Sequence, residues 1–252
     1  MQYLDIEQNS DEWFSARLGK LTGSSVSKIM AKPSEYLVFK YGDDAYKIGN
    51  LKTKKILKKE YTCPLEANNA MVKMQSKISS KFSQPAIDLA IKIALEKITG
   101  KLSENDSITS RHMDRGHIQE CEVIRIYENQ EFVEVTNGGF FDCGRTGFSP
   151  DGLVYDCGLI EVKSVISSVQ YKNIKRTGID PAYKWQILDN LMQSKRDWID
   201  SISYCADYPE GKKLHIVRVK KEDCLDDFYL INERKNKFFI LIEEIKINIM
   251  KG

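Results

Sequence analysis

Apolar residues recur every three to four positions in four long segments of the chain, which is the spacing of an amphipathic helix. These segments cover residues 83–97, 113–129, 181–196 and 226–249. Gly100 is placed to end the first of them, and Pro181 lies in the first turn of the third. Shorter helices are predicted over Asp11–Leu18, behind a cap at Ser10 or Asp11, and from a cap at residues 22–25 to about Met30.

Strands are predicted between the helices, and a chain that mixes both element types in this order favours one α/β or α+β domain. The predicted strands are Glu131–Thr136, Gly139–Asp142, a hairpin within residues 148–164, Ile199–Cys205 and Lys213–Val219. The fold class expected is therefore α/β, with a mixed central β-sheet of about five strands flanked by helices.

Composition is that of a globular protein and excludes several other classes. The 252 residues are 42% hydrophobic and 29% charged, with a net charge of +2. No apolar run approaches the roughly 20 residues that a membrane span requires, and the acidic start MQYLDIEQNSDEWF is not a signal peptide. Six scattered cysteines without a CxxC pair argue against zinc ribbons and iron–sulfur clusters. A cytoplasmic protein without a membrane partner is expected.

Residues 34–82 are rich in lysine. From Lys40 to Lys81 there are ten lysines and four acidic residues. A solvated, mobile face explains such a run, and so does a clamp on a phosphate backbone. The sequence leaves both interpretations open.

The hairpin segment FSPDGLVYDCGLIEVKS (148–164) carries charged residues among apolar ones. With Cys157 at the centre of the turn, Asp151 lies opposite Lys163, and Glu161 shares their face because side chains alternate along a strand. Ile160 and Val162 point to the other face and can pack in the core. An ion pair between Asp151 and Lys163 would contribute about 0–1 kcal/mol at a surface. The alternative is a metal site, which needs a further acid.

Helix 113–129 offers that acid. Glu120 falls in the middle of an arc formed by mostly apolar residues, at about 100° per residue. A buried charge requires a partner, which could be a cation shared with Asp151 and Glu161 or a buried salt bridge to an arginine such as Arg17. The histidines are interpreted as packed core residues rather than ligands: His112, His117 and His215.

Helix 181–196 carries a polar stripe at helical spacing. Tyr183, Gln186, Asn190 and Gln193 form this stripe. One interpretation is a face exposed to solvent. In the other, Gln186 faces the site and hydrogen-bonds a bound water or phosphate.

Four blocks of residues, in this order, resemble the lambda exonuclease (YqaJ-type) phage recombination nucleases of the PD-(D/E)xK superfamily. They are ARLGKLTGSSV (16–26), RGHIQECEVIRIYE (115–128), FSPDGLVYDCGLIEVKS (148–164) and the helix with Tyr183-x-x-Gln186. The segment WIDSISYCADYPEGKKLHIVRV (198–219) is also similar to the terminal hairpin of the family. The family shows a second glutamine two residues after the first, where this chain has Leu188.

The resemblance implies a single nuclease domain over residues 1–252, with a restriction-endonuclease-like core and an insertion at about 34–82. It implies 5′→3′ degradation of one strand of linear duplex DNA to mononucleotides, which leaves 3′ single-stranded tails for phage recombination. One or two Mg²⁺ ions, for which Mn²⁺ can substitute, would be held by Glu120, Asp151 and Glu161. Lys163 would position the attacking water, and Gln186 would assist.

The resemblance further implies how DNA and partner proteins are bound. A pocket for the 5′-phosphate would be formed by Arg17, Ser24 and Ser149. Double-stranded DNA ends are the expected substrate, a ring-shaped homotrimer the expected assembly, and a single-strand annealing protein a partner in the bacterial host's cytoplasm. The rival functions are a structure-specific DNA or RNA endonuclease on the same core and a catalytically silent protein that binds DNA ends.

Overall fold

The computed structural model describes residues 1–31, 36–41, 45–51, 53–77, 82–103 and 111–251, with side chains described except at 75–77 and 111–119. The chain forms two compact units. The first unit comprises Met1–Ser27 and Ile91–Gly252, and the second comprises Lys28–Ala90. The predicted insertion at 34–82 lies within the range of the second unit. That the whole chain is one nuclease domain with this insertion stays a prediction.

The helices follow the sequence pattern closely. The described helices are α1 (Asp11–Arg17), α2 (Val26–Met30), α3 (Pro64–Lys77), α4 (Gln84–Thr99), α5 (Arg111–Glu131), α6 (Ser167–Lys175), α7 (Lys184–Ser194) and α8 (Leu225–Lys251). Ser10 caps α1, because its side chain accepts a hydrogen bond from the Trp13 amide. Gly100 follows α4 with a φ of 66°, a conformation that suits glycine at the end of a helix.

The strands of the first unit form two sheets. The described strands are β1 (Gln2–Leu4), β2 (Leu21–Thr22), β6 (Val135–Thr136), β7 (Phe140–Asp142), β8 (Thr146–Phe148), β9 (Gly152–Val154), β10 (Gly158–Ser164), β11 (Trp198–Tyr204) and β12 (Leu214–Lys220). A five-stranded sheet has the order β12-β11-β10-β9-β6, and a four-stranded sheet has the order β1-β7-β8-β2. In the larger sheet β10 and β11 are parallel, whereas the other neighbours are antiparallel. The prediction of a mixed sheet of about five strands is confirmed.

The core of the larger sheet fixes α5 over it. Ile160 and Val162 are buried with Val123 and Tyr127 of α5, so the predicted inward face of the hairpin is confirmed. The Tyr127 hydroxyl donates to Asp200 of β11 at 2.7 Å. The guanidinium of Arg218 donates two further bonds to this fully buried carboxylate, at 2.8 and 2.7 Å. These bonds supply the partners that a buried charge requires, and they anchor α5 two turns away from Glu120.

Two predicted strands differ in the structure. Residues from 131 were expected to be a strand, but α5 continues to Glu131 and only Val135–Thr136 pair with β9. Phe132 has a φ of 55°, in the left-handed region, and this residue changes the direction of the chain between the helix and the strand. The predicted strand at 139–142 exists as β7, but it pairs with β1 and β8 in the smaller sheet.

The second unit contains a three-stranded antiparallel sheet. Its strands are β3 (Tyr36–Lys40), β4 (Tyr46–Asn50) and β5 (Ile56–Tyr61), in that order. Helix α3 packs against all three. Lys47 pairs across the strands with Glu60 at 2.7 Å.

Candidate active site

A cavity of about 500 Å³ in the first unit brings together every site residue that the sequence predicts. It lies where the N-terminal helix region, α5, β10 and α7 approach one another. The predicted residues that line it are Arg17, Ser24, Glu120, Ser149, Asp151, Glu161, Lys163 and Gln186. These residues span 170 positions of sequence, from 17 to 186, so the fold alone places them together.

The hairpin that carries three of these residues has a different register from the predicted one. Gly152 lies opposite Ile160 and Leu153 opposite Leu159, so that Asp151 comes opposite Glu161 rather than Lys163. The turn is centred on Asp156 instead of Cys157, because Tyr155 takes up a left-handed conformation with a φ of 48°. Relative to the predicted register, the residue opposite Asp151 changes by two positions, from Lys163 to Glu161. A change of two positions leaves every side chain on the same face of the strand, so Asp151, Glu161 and Lys163 still share one face.

Glu161 is the centre of the site. The residue is 1% exposed. Lys163 donates to Oε1 at 2.7 Å, Gln186 donates to the same oxygen, and Asn190 donates to Oε2 at 3.1 Å. The polar stripe of α7 therefore faces the site at Gln186, and the interpretation of the whole stripe as a solvent face is wrong.

Asp151 lies beside Glu161 and is held by the backbone. The Val162 amide donates to Asp151 Oδ2 at 2.6 Å. The side chain of Gln8 also hydrogen-bonds this carboxylate, and it donates to the Pro150 carbonyl at 3.2 Å. Each bond limits the directions that the carboxylate can take.

Burial shifts the titration of these groups. It raises the pKa of Asp151 to about 6, with Lys163 opposing the shift and Glu120 adding to it. It raises the pKa of Glu161 to about 7, again against Lys163, and the nearby Asp151 charge contributes. Burial alone would lower the pKa of Lys163, but the carboxylates of Glu161 and Asp151 raise it above its ordinary value. The lysine therefore stays charged, while the acids titrate near neutral pH.

Glu120 completes the acidic side of the cavity. Burial raises its pKa, and the negative charge of Glu161 raises it further. Within the described ranges, no three His, Cys, Asp or Glu side chains lie close enough together to hold a metal ion. Asp151 and Glu161 face each other across the hairpin, and Glu120 faces the same cavity from α5.

A second part of the cavity lining, called its basic side, is formed by Trp13, Arg17, Ser24 and Ser149. The Trp13 indole donates to Ser149 Oγ at 2.7 Å, and the guanidinium of Arg17 stacks over the same indole at 3.8 Å from the ring centre. Ser24 lies exposed in a 3₁₀ turn formed by Gly23–Ser25. The sequence analysis did not identify Trp13 or Gln8 as site residues. Trp13 has one sequence signal, its position one helical turn before Arg17, whereas no sequence pattern marks Gln8.

Of the three histidines, His215 has a side chain that the structure describes. His215 lies on β12 outside the cavity, and burial lowers its pKa. The side chains of His112 and His117 lie outside the described residues.

Gly23 has no room for a side chain. A Cβ atom there would lie 2.2 Å from Asn190 Oδ1 and 3.3 Å from Phe148 Cβ. We expect Gly23→Ala to lower the free energy of unfolding by about 1–3 kcal/mol, the usual cost of overpacking. Denaturant unfolding of the purified protein measures this change. Shortening the neighbour in Gly23→Ala/Asn190→Ala should recover part of the loss, and a single variant as stable as the wild type would contradict the contact.

A family model described as the YqaJ-like viral recombinase domain matches residues 70–197, which is half of the chain. The chain belongs to the YqaJ-like viral recombinase family. The resemblance drawn from the four sequence blocks is thereby confirmed. The matched range contains Glu120, Asp151, Glu161, Lys163 and Gln186. No curated protein sequence matches the chain.

Solved structures share the fold. The alkaline exonuclease LHK-Exo from Laribacter hongkongensis superposes with a TM-score of 0.65 at 22% identity, over 96% of this chain and 95% of that one. The same enzyme in complex with dAMP gives a TM-score of 0.65 at 23% identity, with the same coverage. A phage-related exonuclease from Haemophilus somnus 129PT gives 0.57 at 12% identity, over 91% and 96%. The predicted α/β fold class is confirmed by this likeness.

Family and fold together support a nuclease.

Among the described helices, none combines the length and the apolar character needed to cross a membrane.

Proposed function

We propose that this YqaJ-family protein is a Mg²⁺-dependent exonuclease that degrades one strand of linear duplex DNA from 5′ to 3′. The products would be mononucleotides and a 3′ single-stranded tail for recombination. The observation that carries the proposal is the convergence of Asp151, Glu161 and Lys163 in one cavity with Arg17 and Ser24 on its other side. The proposal agrees with the fold, which this chain shares with the alkaline exonuclease LHK-Exo. It also agrees with the complex of that enzyme with dAMP, a mononucleotide.

The donor set of the cavity fits a hard divalent cation. The described side chains that line it offer carboxylate, amide and hydroxyl oxygens, with no histidine or cysteine among them. Oxygen ligands suit Mg²⁺ and Mn²⁺. Mg²⁺ is commonly bound through one or two carboxylates and keeps several waters, so Asp151 and Glu161 would hold one or two such ions while Glu120 faces them from α5. When bound, the cation would supply charge neutralisation at the phosphate and activation of water.

Two protein side chains would orient the reacting groups. Lys163 stays protonated, so it can donate to the attacking water and offset the negative charge of the transition state. Gln186 donates to the same carboxylate oxygen of Glu161 and thereby keeps that carboxylate turned toward the cavity. In this proposal both side chains already hydrogen-bond Glu161 before DNA binds.

The basic side of the cavity would select the 5′-phosphate. The guanidinium of Arg17 can donate two parallel bonds to a phosphate, and its stacking on Trp13 limits the directions it can take. Ser24 and Ser149 would add hydroxyl donors. Contacts of this kind carry no base sequence information, which suits an enzyme that must digest any sequence. Assembly as a homotrimer and cooperation with a single-strand annealing protein belong to the same proposal.

One assay tests this function directly. Linear duplex DNA with 5′-phosphate or 5′-hydroxyl ends is incubated with the protein in Mg²⁺ or in EDTA, and the products are resolved by size. We expect mononucleotides, strict dependence on the metal and faster digestion of phosphate ends. Cleavage of closed circular DNA would indicate an endonuclease instead. Binding of DNA ends without any product would indicate a catalytically silent protein.

The second unit should contribute affinity for the DNA backbone. Lys58 and Lys59 are exposed on β5. If they contact phosphates, Lys58→Gln/Lys59→Gln should reduce the slope of log affinity against log salt by up to about 2, since each contact contributes about 0.9. Fluorescence anisotropy with a labelled duplex measures the slope. Lys195→Gln/Lys212→Gln removes the same charge from exposed positions of the first unit and serves as control. Equal slopes for both variants would refute the contact.

A further inference from the structure

Asn190 lies between the two sides of the cavity. It is on α7, one turn after Gln186, and is 1% exposed. Its side chain contacts Glu161 on the acidic side and the Gly23 turn on the basic side.

The orientation of the Asn190 amide is determined by Glu161. Asn190 Nδ2 donates to Glu161 Oε2 at 3.1 Å. A carboxylate can only accept hydrogen bonds, so the amide nitrogen must face it and Oδ1 must point away. If the Asn190 oxygen and nitrogen exchanged places, Asn190 Oδ1 would face Glu161 Oε2 and two acceptor oxygens would repel each other.

Asn190 Oδ1 points to the turn that carries Ser24. A Cβ atom on Gly23 would come 2.2 Å from this oxygen. The close approach is possible because glycine has only a hydrogen atom at that position. Among the described residues, no group donates a hydrogen bond to Asn190 Oδ1, although the atom is buried. Buried acceptors are normally satisfied, and an apolar side chain of similar size would avoid the cost of this one. The bond to Glu161 accounts for the amide nitrogen of Asn190, but not for a buried oxygen to which no described group donates, beside the turn that carries Ser24.

We propose that Asn190 is a positioning residue that couples occupation of the 5′-phosphate pocket to the placement of Glu161. A phosphate held by Ser24 and Arg17 would fix the turn at Gly23. The turn would fix Asn190 by direct contact, and Asn190 would orient Glu161 through its hydrogen bond. The enzyme would thus react fastest when the terminal phosphate is bound. This inference rests on the proposed function, because it requires recognition of the phosphate end.

The test compares the rates for 5′-phosphate and 5′-hydroxyl duplexes in the wild type and in Asn190→Leu. Leucine branches at the same carbon as asparagine and has a somewhat larger side chain, but it cannot hydrogen-bond Glu161. We expect the ratio of the two rates to fall at least tenfold, toward one, because the phosphate would no longer influence Glu161. Asn190→Ala gives a second measurement with a smaller side chain, and thermal unfolding confirms that each variant is folded.

Gln193→Ala is the matched control. Gln193 lies one turn further along α7, donates to Asp189 at 2.8 Å and does not line the cavity. Its variant should keep the wild-type ratio, even where total activity falls. Equal losses on both substrates in the Asn190 variants, with the ratio unchanged, would overturn the coupling alone. A wild-type ratio of one would overturn phosphate recognition, and the coupling with it.

Discussion

Glu161→Gln is expected to lower the rate of DNA digestion by about 10²–10³-fold or more, the scale of losing one electrostatic group in a preorganised site. The substitution removes the charge that would attract a divalent cation. It also leaves Lys163 without the carboxylate that it contacts at 2.7 Å. Lys163→Ala should show a loss of the same order, because the water would lose its donor. Initial rates on a 5′-phosphorylated duplex measure both.

Two control variants separate this effect from general damage. Lys184→Ala removes a lysine that pairs with Asp227 at 2.9 Å outside the cavity, and Glu243→Gln neutralises an exposed acid of α8. Both should keep rates close to those of the wild type, with unchanged thermal unfolding. Normal turnover by Glu161→Gln or by Lys163→Ala would refute the assignment of the site.

The rate should also fall steeply with acidification, by about 10²–10³-fold between pH 8 and pH 5 at a low, fixed Mg²⁺ concentration. Asp151 and Glu161 have pKa values raised to about 6 and about 7, so both are charged at pH 8 and become protonated as the pH falls through this window. Each pH unit below a pKa reduces the ionised fraction about tenfold. Protonated carboxyls bind a cation poorly, which predicts activity that rises from acid to alkaline pH.

Competition between protons and metal provides the check. Raising the Mg²⁺ concentration at pH 6 should restore much of the rate, because metal binding displaces protons from its ligands. Since the pKa of Lys163 is raised as well, this lysine should cause no loss of activity up to about pH 10. A rate independent of pH between 5 and 8 would contradict the role of the two buried acids.

Much of the fold was predictable because the main helices and strands are long and regular. Helices α4, α5, α7 and α8 have periodic apolar positions, and their observed bounds differ from the predicted ones by a few residues at each end. The second unit was less readable. Its strand β5 has two adjacent lysines and one acid between its apolar residues, and four of its six residues are exposed, so the apolar pattern of a buried strand is missing there.

The candidate site was predictable as a set of residues but not as a geometry. Asp151, Glu161 and Lys163 could be placed on one face because alternation along a strand is strict. Their pairing depended on the turn, and the left-handed conformation of Tyr155 could not be anticipated for a residue of that type. Gln8 contacts Asp151, although more than 140 positions of sequence separate them. No local sequence pattern predicts a contact over that separation.

The position of β10 inside its sheet has a consequence for dynamics. This strand pairs with β9 on one side and along its whole length with β11 on the other, and β11 is itself covered by β12. Amides in such a strand exchange with deuterated solvent only when a large part of a protein opens. Glu161 and Lys163 lie in the part of β10 that extends beyond β9 and pairs with β11. The electrostatic repulsion in the cavity is therefore carried by a paired strand of the five-stranded sheet rather than by a loop.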